Sequence, residues 1–148
     1  MGGLPPIGTP VSEHFDCLVL AAMEYQCDWD YPGVEVVLAP LNDDGNPMTR
    51  DEMSHAVRAA GRVSRWLMER KSVLVTCRMG KNRSGLICAL TLCCGPTGLT
   101  PEQAVSKIRA ARGQNALGNR QFLKFIKEFY ELRADSLKGV DRLRSEIP

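Results

Sequence analysis

One cysteine, Cys77, follows the apolar residues 73–75 and is itself followed, within eight residues, by three cations and two glycines. A strand that ends in a tight loop before a helix directs backbone N–H groups and the positive end of the helix dipole toward one point. Such a loop binds phosphate, and Arg83 at its end can donate two parallel hydrogen bonds to phosphate oxygens. Gly80 lies where the loop needs an unusual dihedral angle or a close approach of backbone. Residues 77–84, called the cysteine loop below, are therefore predicted to hold a phosphoryl group.

The same electrostatic field acts on the thiol of Cys77. Whatever attracts a phosphate dianion also stabilises a thiolate, so the pKa of this thiol is expected to lie below its usual value. With a pKa of ~8.5 only about 3% of a thiol is ionised at pH 7, whereas with a pKa of ~5.5 about 97% is. The cations and amides are thus predicted to hold a phosphoryl group against a thiolate that attacks it.

The cysteine loop reads Cys-Arg-Met-Gly-Lys-Asn-Arg-Ser. Cys-x5-Arg-Ser, with a glycine three residues after the cysteine, is the active-site signature of the protein tyrosine phosphatase superfamily, and the chain resembles its dual-specificity branch over residues 15–132. The resemblance implies that Cys77 attacks phosphorus to give a phosphocysteine, that Arg83 and the loop amides hold the equatorial oxygens, and that Ser84 stabilises the departing thiolate. It requires no metal or organic cofactor. It also implies substrate contacts at Arg78, Met79, Gly80, Lys81 and Asn82.

In enzymes of this kind an aspartate about thirty residues before the cysteine protonates the leaving oxygen. Asp43 and Asp44 lie 34 and 33 residues before Cys77. Asp43 fits the Pro-Leu-x-Asp spelling common in the family and is the predicted general acid, with Asp44 as the alternative. Both also fit a simple turn, because Asn-Asp-Asp-Gly is a turn-forming composition.

Three positions depart from the usual pattern of the family. Thr76 stands directly before the cysteine, where a histidine usually helps to set the loop and the thiol pKa. Its hydroxyl is expected to hydrogen-bond loop groups without reproducing an imidazole. Arg78 and Lys81 are cations at positions that are often uncharged in protein-directed members and basic in the lipid phosphatases of the phosphatase-and-tensin-homologue type. Either these two cations favour a polyanionic substrate, or they pair with acidic side chains or point to solvent.

Several functions fit these residues. The predicted one is a protein phosphatase whose partner is a phosphorylated protein, with phosphotyrosine, and through a shallow pocket phosphoserine and phosphothreonine, as substrates. A phosphoinositide or the 5′ phosphate of an RNA is the alternative substrate. Two interpretations come from other classes: a phosphate-binding module without turnover, which Thr76 would signal, and sulfur transfer or arsenate reduction, which need no aspartic general acid.

Length, charge and composition limit the class of protein to which this site can belong. The 148 residues carry a net charge of +2 with interspersed charges, which gives no sign of a protein that wraps a polyanion. They fit one domain (1–148) with an irregular lead-in (1–14) and a charged tail (134–148). Without a secretory signal, a zinc-type cysteine spacing or an apolar run of ~18 residues, a cytoplasmic protein without metal or membrane insertion is predicted. A monomer is the default expectation. Whether Cys17 or Cys88 pairs with the loop thiol on oxidation stays open.

The elements that must position these residues alternate between strand and helix. Apolar runs predict buried strands at residues 15–22, 34–39 and 73–75. Four helices are predicted: one capped at Thr49 that ends near Arg70, one at residues 84–94, one capped at Thr100, and one that carries Phe122, Phe125, Ile126 and Phe129. This order predicts an α/β fold, a small central and mostly parallel sheet flanked by helices, like that of dual-specificity phosphatases.

Overall fold

The strands of the chain form one parallel sheet that brings the cysteine loop to its carboxyl edge. In this computed structural model, which describes the backbone of residues 1–145 and the side chains of residues 1–136, the strands are β1 (Gly2–Gly3), β2 (Cys17–Ala22), β3 (Glu35–Leu41) and β4 (Val73–Cys77). Their order is β1-β4-β2-β3. β4, which ends at the cysteine, therefore lies inside the sheet with a neighbour on each side.

The strand β2 is buried on both faces, which explains its nearly continuous apolar sequence. Its side chains alternate between two cores. One core lies between the sheet and the helices, whereas Leu18 and Leu20 pack on the opposite face against Val11 and Tyr31. The lead-in thus covers the second face of the sheet.

The helices described in residues 1–145 all contribute side chains to the larger core. They are α1 (Arg50–Met68), α2 (Arg83–Cys94), α3 (Pro101–Arg112) and α4 (Arg120–Ser145). α2 occupies the centre of this layer, since it contacts β4 and each of the other three helices. The helix that follows the cysteine loop is therefore fixed from several sides, and the predicted α/β class is confirmed.

Both predicted capping boxes are present. The Thr49 hydroxyl accepts a hydrogen bond from the Glu52 amide, and Thr100 does the same with Gln103. The Glu52 side chain is 7% exposed and also accepts a bond from the backbone amide of Asn42 at 2.8 Å. The start of α1 is thereby joined to the segment that carries the two candidate aspartates.

Element boundaries differ from the prediction at several places. β3 continues two residues further, to Leu41, through pairing with β2, and β4 two residues further, to Cys77, through pairing with β2 at Thr76 and with β1 at Cys77. The lead-in contains β1 and a 3-10 turn over Val11–Glu13. The charged tail (134–148) is helical as far as Ser145, as a continuation of α4. Residues 146–148 lie outside the described residues.

Most of the apolar side chains that recur at helical spacing along α1 and α4 belong to the core, whereas Leu67 of α1 is 52% exposed. Trp66 is fully buried, and Phe122 is 2% exposed. Cys93 is buried in α2, and its neighbours Cys88 and Cys94 pack partly buried against the same core. In residues 1–145 no helix combines the length and apolar character that a membrane span requires.

Candidate active site

The cysteine loop connects the end of β4 to the first turn of α2. Cys77 closes the strand and is 3% exposed, while Arg83 opens the helix and is 7% exposed. Ser84 is fully buried, and its Oγ lies 3.3 Å from the Sγ of Cys77, a hydrogen-bond distance for sulfur. The thiol is thus held between a strand end and a helix N-terminus, as the sequence predicts.

The pKa of the Cys77 thiol lies below its ordinary value of 9.0. Burial acts in the opposite direction and would raise it. Hydrogen bonds from the Ser84 hydroxyl, and then from the backbone amides of Ser84, Lys81 and Gly80, outweigh burial. These donors stabilise the thiolate as the sequence leads one to expect.

Gly80 meets both conditions predicted for it. Its φ is +63°, a conformation that side chains disfavour. A Cβ on Gly80 would lie 2.3 Å from the carbonyl carbon of Gly2 and 2.5 Å from the amide nitrogen of Gly3. The strand β1 therefore packs directly on the cysteine loop, and only glycine fits between them.

We expect Gly80→Ala to lower kcat/KM for an aryl phosphate by at least about tenfold, because the loop must move away from β1. Gly98→Ala is the matched control, since Gly98 also has a positive φ (+54°) but a Cβ added to it would meet no atom within 4 Å. Both variants carry a backbone penalty of about 1–2 kcal/mol. Thermal unfolding should therefore show a lower Tm for Gly80→Ala than for Gly98→Ala. Equal Tm values and full activity would contradict the role of the close approach.

The Arg83 guanidinium is held by a carboxylate that sequence reasoning missed. Its Nη1 and Nη2 donate to the two oxygens of Glu24 at 2.5 and 2.9 Å, and Nη1 also donates to the Leu41 carbonyl at 3.3 Å. The hydrogen bond from Arg83 holds the pKa of Glu24 below its usual range. The Nε of Arg83 is buried and has no hydrogen-bond partner among the described residues.

A signal for Glu24 was present in the sequence. It lies two residues beyond the end of β2. Carboxyl ends of neighbouring parallel strands meet at one edge of a sheet, where ligand sites form. An acidic residue just after β2 is therefore expected near a cationic loop after β4.

The two candidate aspartates have different surroundings. Asp43 accepts hydrogen bonds from the side-chain amide of Asn82, at 3.0 and 3.3 Å, and from that of Asn119, at 2.9 Å. Asp44 accepts from the backbone and side chain of Asn46, each at 3.0 Å, in a local turn, and these bonds lower its pKa. Asp43 is thus bonded to the cysteine loop, whereas Asp44 is bonded within its own segment.

A cavity of about 530 Å³ unites the predicted residues. Of the predicted set, Ser84 and Gly80 do not line it: Ser84 lies behind the thiol, and Gly80 faces β1. Among the described residues Arg78 and Lys81 form no ion pair. The cavity is lined by Glu24, Asn42, Asp43, Asp44, Cys77, Arg78, Met79, Lys81, Asn82 and Arg83.

The expectation for Thr76 is wrong. Its hydroxyl donates to the carbonyl oxygen of Val19 on β2, at 2.9 Å, and the residue is fully buried. It contributes to the pairing of β4 with β2 and makes no hydrogen bond to the cysteine loop.

Burial raises the pKa of the Cys17 thiol, and it raises that of Cys88 to about 11, so neither is a ready thiolate. Cys17, Cys77 and Cys88 are free cysteines in the structure.

Comparison with known proteins places this fold. No family model and no curated protein matches the sequence. Solved structures do match: human DUSP28, 20% identical, covers 91% of this chain and 93% of its own with a TM-score of 0.75. A kinase-associated phosphatase whose catalytic-site cysteine is replaced by serine is 20% identical over 83% of this chain and 72% of its own, with a TM-score of 0.67. OH1 of the Orf virus, a tyrosine phosphatase with triple substrate specificity, is 27% identical over 78% of this chain and 70% of its own, with a TM-score of 0.60. The chain has the fold of tyrosine and dual-specificity phosphatases, so the predicted resemblance is confirmed for the fold.

Proposed function

We propose that this chain is a cysteine-dependent phosphatase that hydrolyses phosphomonoesters through a phosphocysteine intermediate. One observation carries the proposal: a buried thiol with a lowered pKa lines the same cavity as Arg83 and as an aspartate bonded to the cysteine loop. A nucleophile, a binder of phosphate oxygens and an acid–base group are thus within one site. A module that only binds phosphate has no need of the first or the third.

The reaction proceeds in two steps. The thiolate of Cys77 attacks phosphorus while the ester P–O bond breaks, and Asp43 donates its proton to the leaving oxygen. Arg83 and the loop amides hold the equatorial oxygens. A water molecule then attacks the phosphocysteine, Asp43 takes the proton of the water, and the P–S bond breaks to release phosphate. Ser84, 3.3 Å from the sulfur, stabilises the thiolate that leaves. Neither step requires a metal or an organic cofactor.

The proposed substrate is a phosphorylated protein. Proteins of this fold include a kinase-associated phosphatase and a viral tyrosine phosphatase, which supports phosphotyrosine, with phosphoserine and phosphothreonine as further substrates. Among the residues of the cavity, Met79 is 64% exposed and offers an apolar contact for a peptide. We take the enzyme to act as a cytoplasmic monomer.

A second substrate class has an observation in its favour. Arg78 and Lys81 line the cavity and form no ion pair in the described part of the chain, while the charge of Arg78 also acts on the nearby Glu24 carboxylate. Two such cations suit a substrate with more than one phosphate, such as a phosphoinositide or the 5′-triphosphate of an RNA. The protein substrate stays first, because solvent-exposed cations are common without a ligand.

The test is a substrate panel with the purified chain in the presence of a chelator. We expect hydrolysis of para-nitrophenyl phosphate and of a phosphotyrosine peptide, with a bell-shaped dependence of kcat/KM on pH between about 4.5 and 8. Arg78→Gln should leave kcat/KM for the aryl phosphate within about twofold of the wild-type value. If the natural substrate carries several phosphates, the same variant should lower kcat/KM for that substrate by about tenfold or more.

Other outcomes of the panel separate the remaining functions. No turnover of any phosphoester, with inorganic phosphate still bound, would assign the chain to phosphate recognition. Turnover of a phosphoinositide or an RNA 5′-triphosphate with the phosphotyrosine peptide untouched would overturn the protein substrate. Transfer of sulfur from thiosulfate without any phosphatase activity would replace the proposed reaction altogether.

A further inference from the structure

Asn119 lies at a junction between the acid-bearing segment and α4. Its side-chain Nδ2 donates to Oδ1 of Asp43 at 2.9 Å, across 76 residues of sequence. Its Oδ1 accepts a hydrogen bond from the backbone amide of Gln121 at 2.9 Å, in the first turn of α4. Because both ends of the amide are bonded, its orientation toward Asp43 is fixed.

Asn82 completes the arrangement from the cysteine loop. Its Nδ2 donates to both carboxylate oxygens of Asp43, and its Oδ1 accepts from the backbone amide of Gly118 at 2.9 Å. The two asparagines form an amide clasp, defined here as Asn82 and Asn119 with the Asp43 carboxyl between them. The clasp joins the cysteine loop to residues 118–119.

The turn that carries Asn119 is itself held under constraint. Leu117 has a positive φ of 54°, which a bulky residue adopts only when its surroundings require it. Its amide donates to the carbonyl of Lys81 at 3.3 Å. Arg109 donates from α3 to the carbonyls of Ala116 and Leu117, at 3.1 and 3.2 Å. Residues 116–119 are thereby fixed against the cysteine loop, and Asn119 with them.

We propose that Asn119 is a positioning residue for the general acid, which it holds through the amide clasp in the orientation that the reaction needs. The inference rests on the proposed function. In the clasp, Oδ1 of Asp43 accepts from both amides, which fills its two lone-pair directions, whereas Oδ2 accepts from Asn82 alone. Oδ2 therefore keeps one lone-pair direction free, and it is the oxygen on which the proposed general acid would carry its proton. The amide of Asn119 selects this oxygen as the one that delivers the proton to the leaving group.

The competing interpretation is that Asn119 only caps α4. Serine caps a helix as well as asparagine does but cannot reach Asp43 with a donor. Asn119→Ser therefore keeps the cap and removes one half of the clasp. Asn119→Asp serves as a second variant if the first is unstable, because it keeps the size and the cap while replacing the donor with an acceptor. Asn46→Ser is the matched control, since Asn46 makes the analogous amide bond to Asp44.

The readout is the dependence of kcat/KM on the leaving group. Phenyl phosphate needs a proton donor, whereas an aryl phosphate with an acidic phenol, such as difluoromethylumbelliferyl phosphate, needs little help. We expect Asn119→Ser to lower kcat/KM about tenfold for the first substrate and less than about twofold for the second. Asn46→Ser should change neither. In the Asp43→Asn background, Asn119→Ser should cause no further loss, because the residue acts through Asp43.

Three results would overturn the inference in distinguishable ways. Equal slowing of both substrates by Asn119→Ser, or an undiminished loss in the Asp43→Asn background, would make Asn119 a structural residue while the phosphatase activity stands. If the wild type is active and Asp43→Asn is equally active, Asp43 is not the general acid, and the role proposed for the clasp is overturned with it. A wild type without turnover would reject the proposed function on which the inference rests.

Discussion

Cys77→Ser is expected to abolish turnover of every phosphoester while leaving the affinity for inorganic phosphate within a fewfold of the wild type. The hydrogen bonds that lower the pKa of the thiol cannot bring a hydroxyl, whose pKa is far higher, to ionise near neutral pH. Loss of a nucleophile costs on the order of 10⁴-fold or more in kcat. Phosphate affinity depends on Arg83 and the loop amides, which the substitution retains. Steady-state hydrolysis of para-nitrophenyl phosphate and calorimetric titration with phosphate measure the two properties.

The control for this variant is Cys27→Ser, which removes a partly exposed thiol outside the cavity and should leave kcat/KM unchanged. Alkylation by iodoacetamide gives a second check. Because a lowered pKa keeps the thiolate populated to lower pH, Cys77 should react at a pH where an ordinary thiol is protonated, and lose reactivity as the pH falls through its own pKa. Residual turnover by Cys77→Ser would contradict the covalent mechanism.

Asp43→Asn is expected to lower kcat/KM for phenyl phosphate by about 10²- to 10⁴-fold, the usual contribution of acid–base catalysis. The variant preserves shape and keeps an oxygen that can accept from the amide clasp, so the loss reports the missing proton. The alkaline limb of the bell-shaped pH profile should disappear, because that limb requires the protonated acid. Initial rates across the pH range, with phenyl phosphate as substrate, provide the measurement.

Asp44→Asn is the matched control for this second variant. Asp44 is one residue away and lines the same cavity, but its carboxylate accepts hydrogen bonds from Asn46 in a local turn. We expect a change of less than about threefold. If Asp44→Asn proved the more damaging of the two, the general acid would be Asp44 and the amide clasp would serve another purpose.

The parts of the site that the sequence predicts are those determined by neighbours in the chain. The cysteine loop is continuous, and its strand, glycine and helix follow one another within a few residues. The capping boxes at Thr49 and Thr100 are local in the same sense, and both are present. The role expected of Asp43, 34 residues before Cys77, follows from the resemblance to known phosphatases and not from local geometry.

The parts that the sequence does not predict depend on contacts between distant residues. Glu24 meets Arg83 across 59 residues and Asn119 meets Asp43 across 76, and no periodicity encodes such pairs. The sequence does not predict the partner of the Thr76 hydroxyl, because the register between β2 and β4, which brings it to Val19, is a tertiary property. The choice between two adjacent aspartates has the same character: both fit a turn, and only the position of Asn82 and Asn119 separates them.

The contact between β1 and Gly80 has a consequence for local opening of the fold. β1 pairs with β4 at only two positions, Gly2 with Thr76 and Gly3 with Cys77, so it is the shortest ladder of the described sheet. Short ladders at the edge of a sheet open with little free energy and exchange their amide hydrogens fast. Each such opening would release the surface on which Gly80 rests. Opening of this two-residue pairing at the edge of the sheet would therefore free one side of the cysteine loop, at Gly80, without global unfolding of the domain.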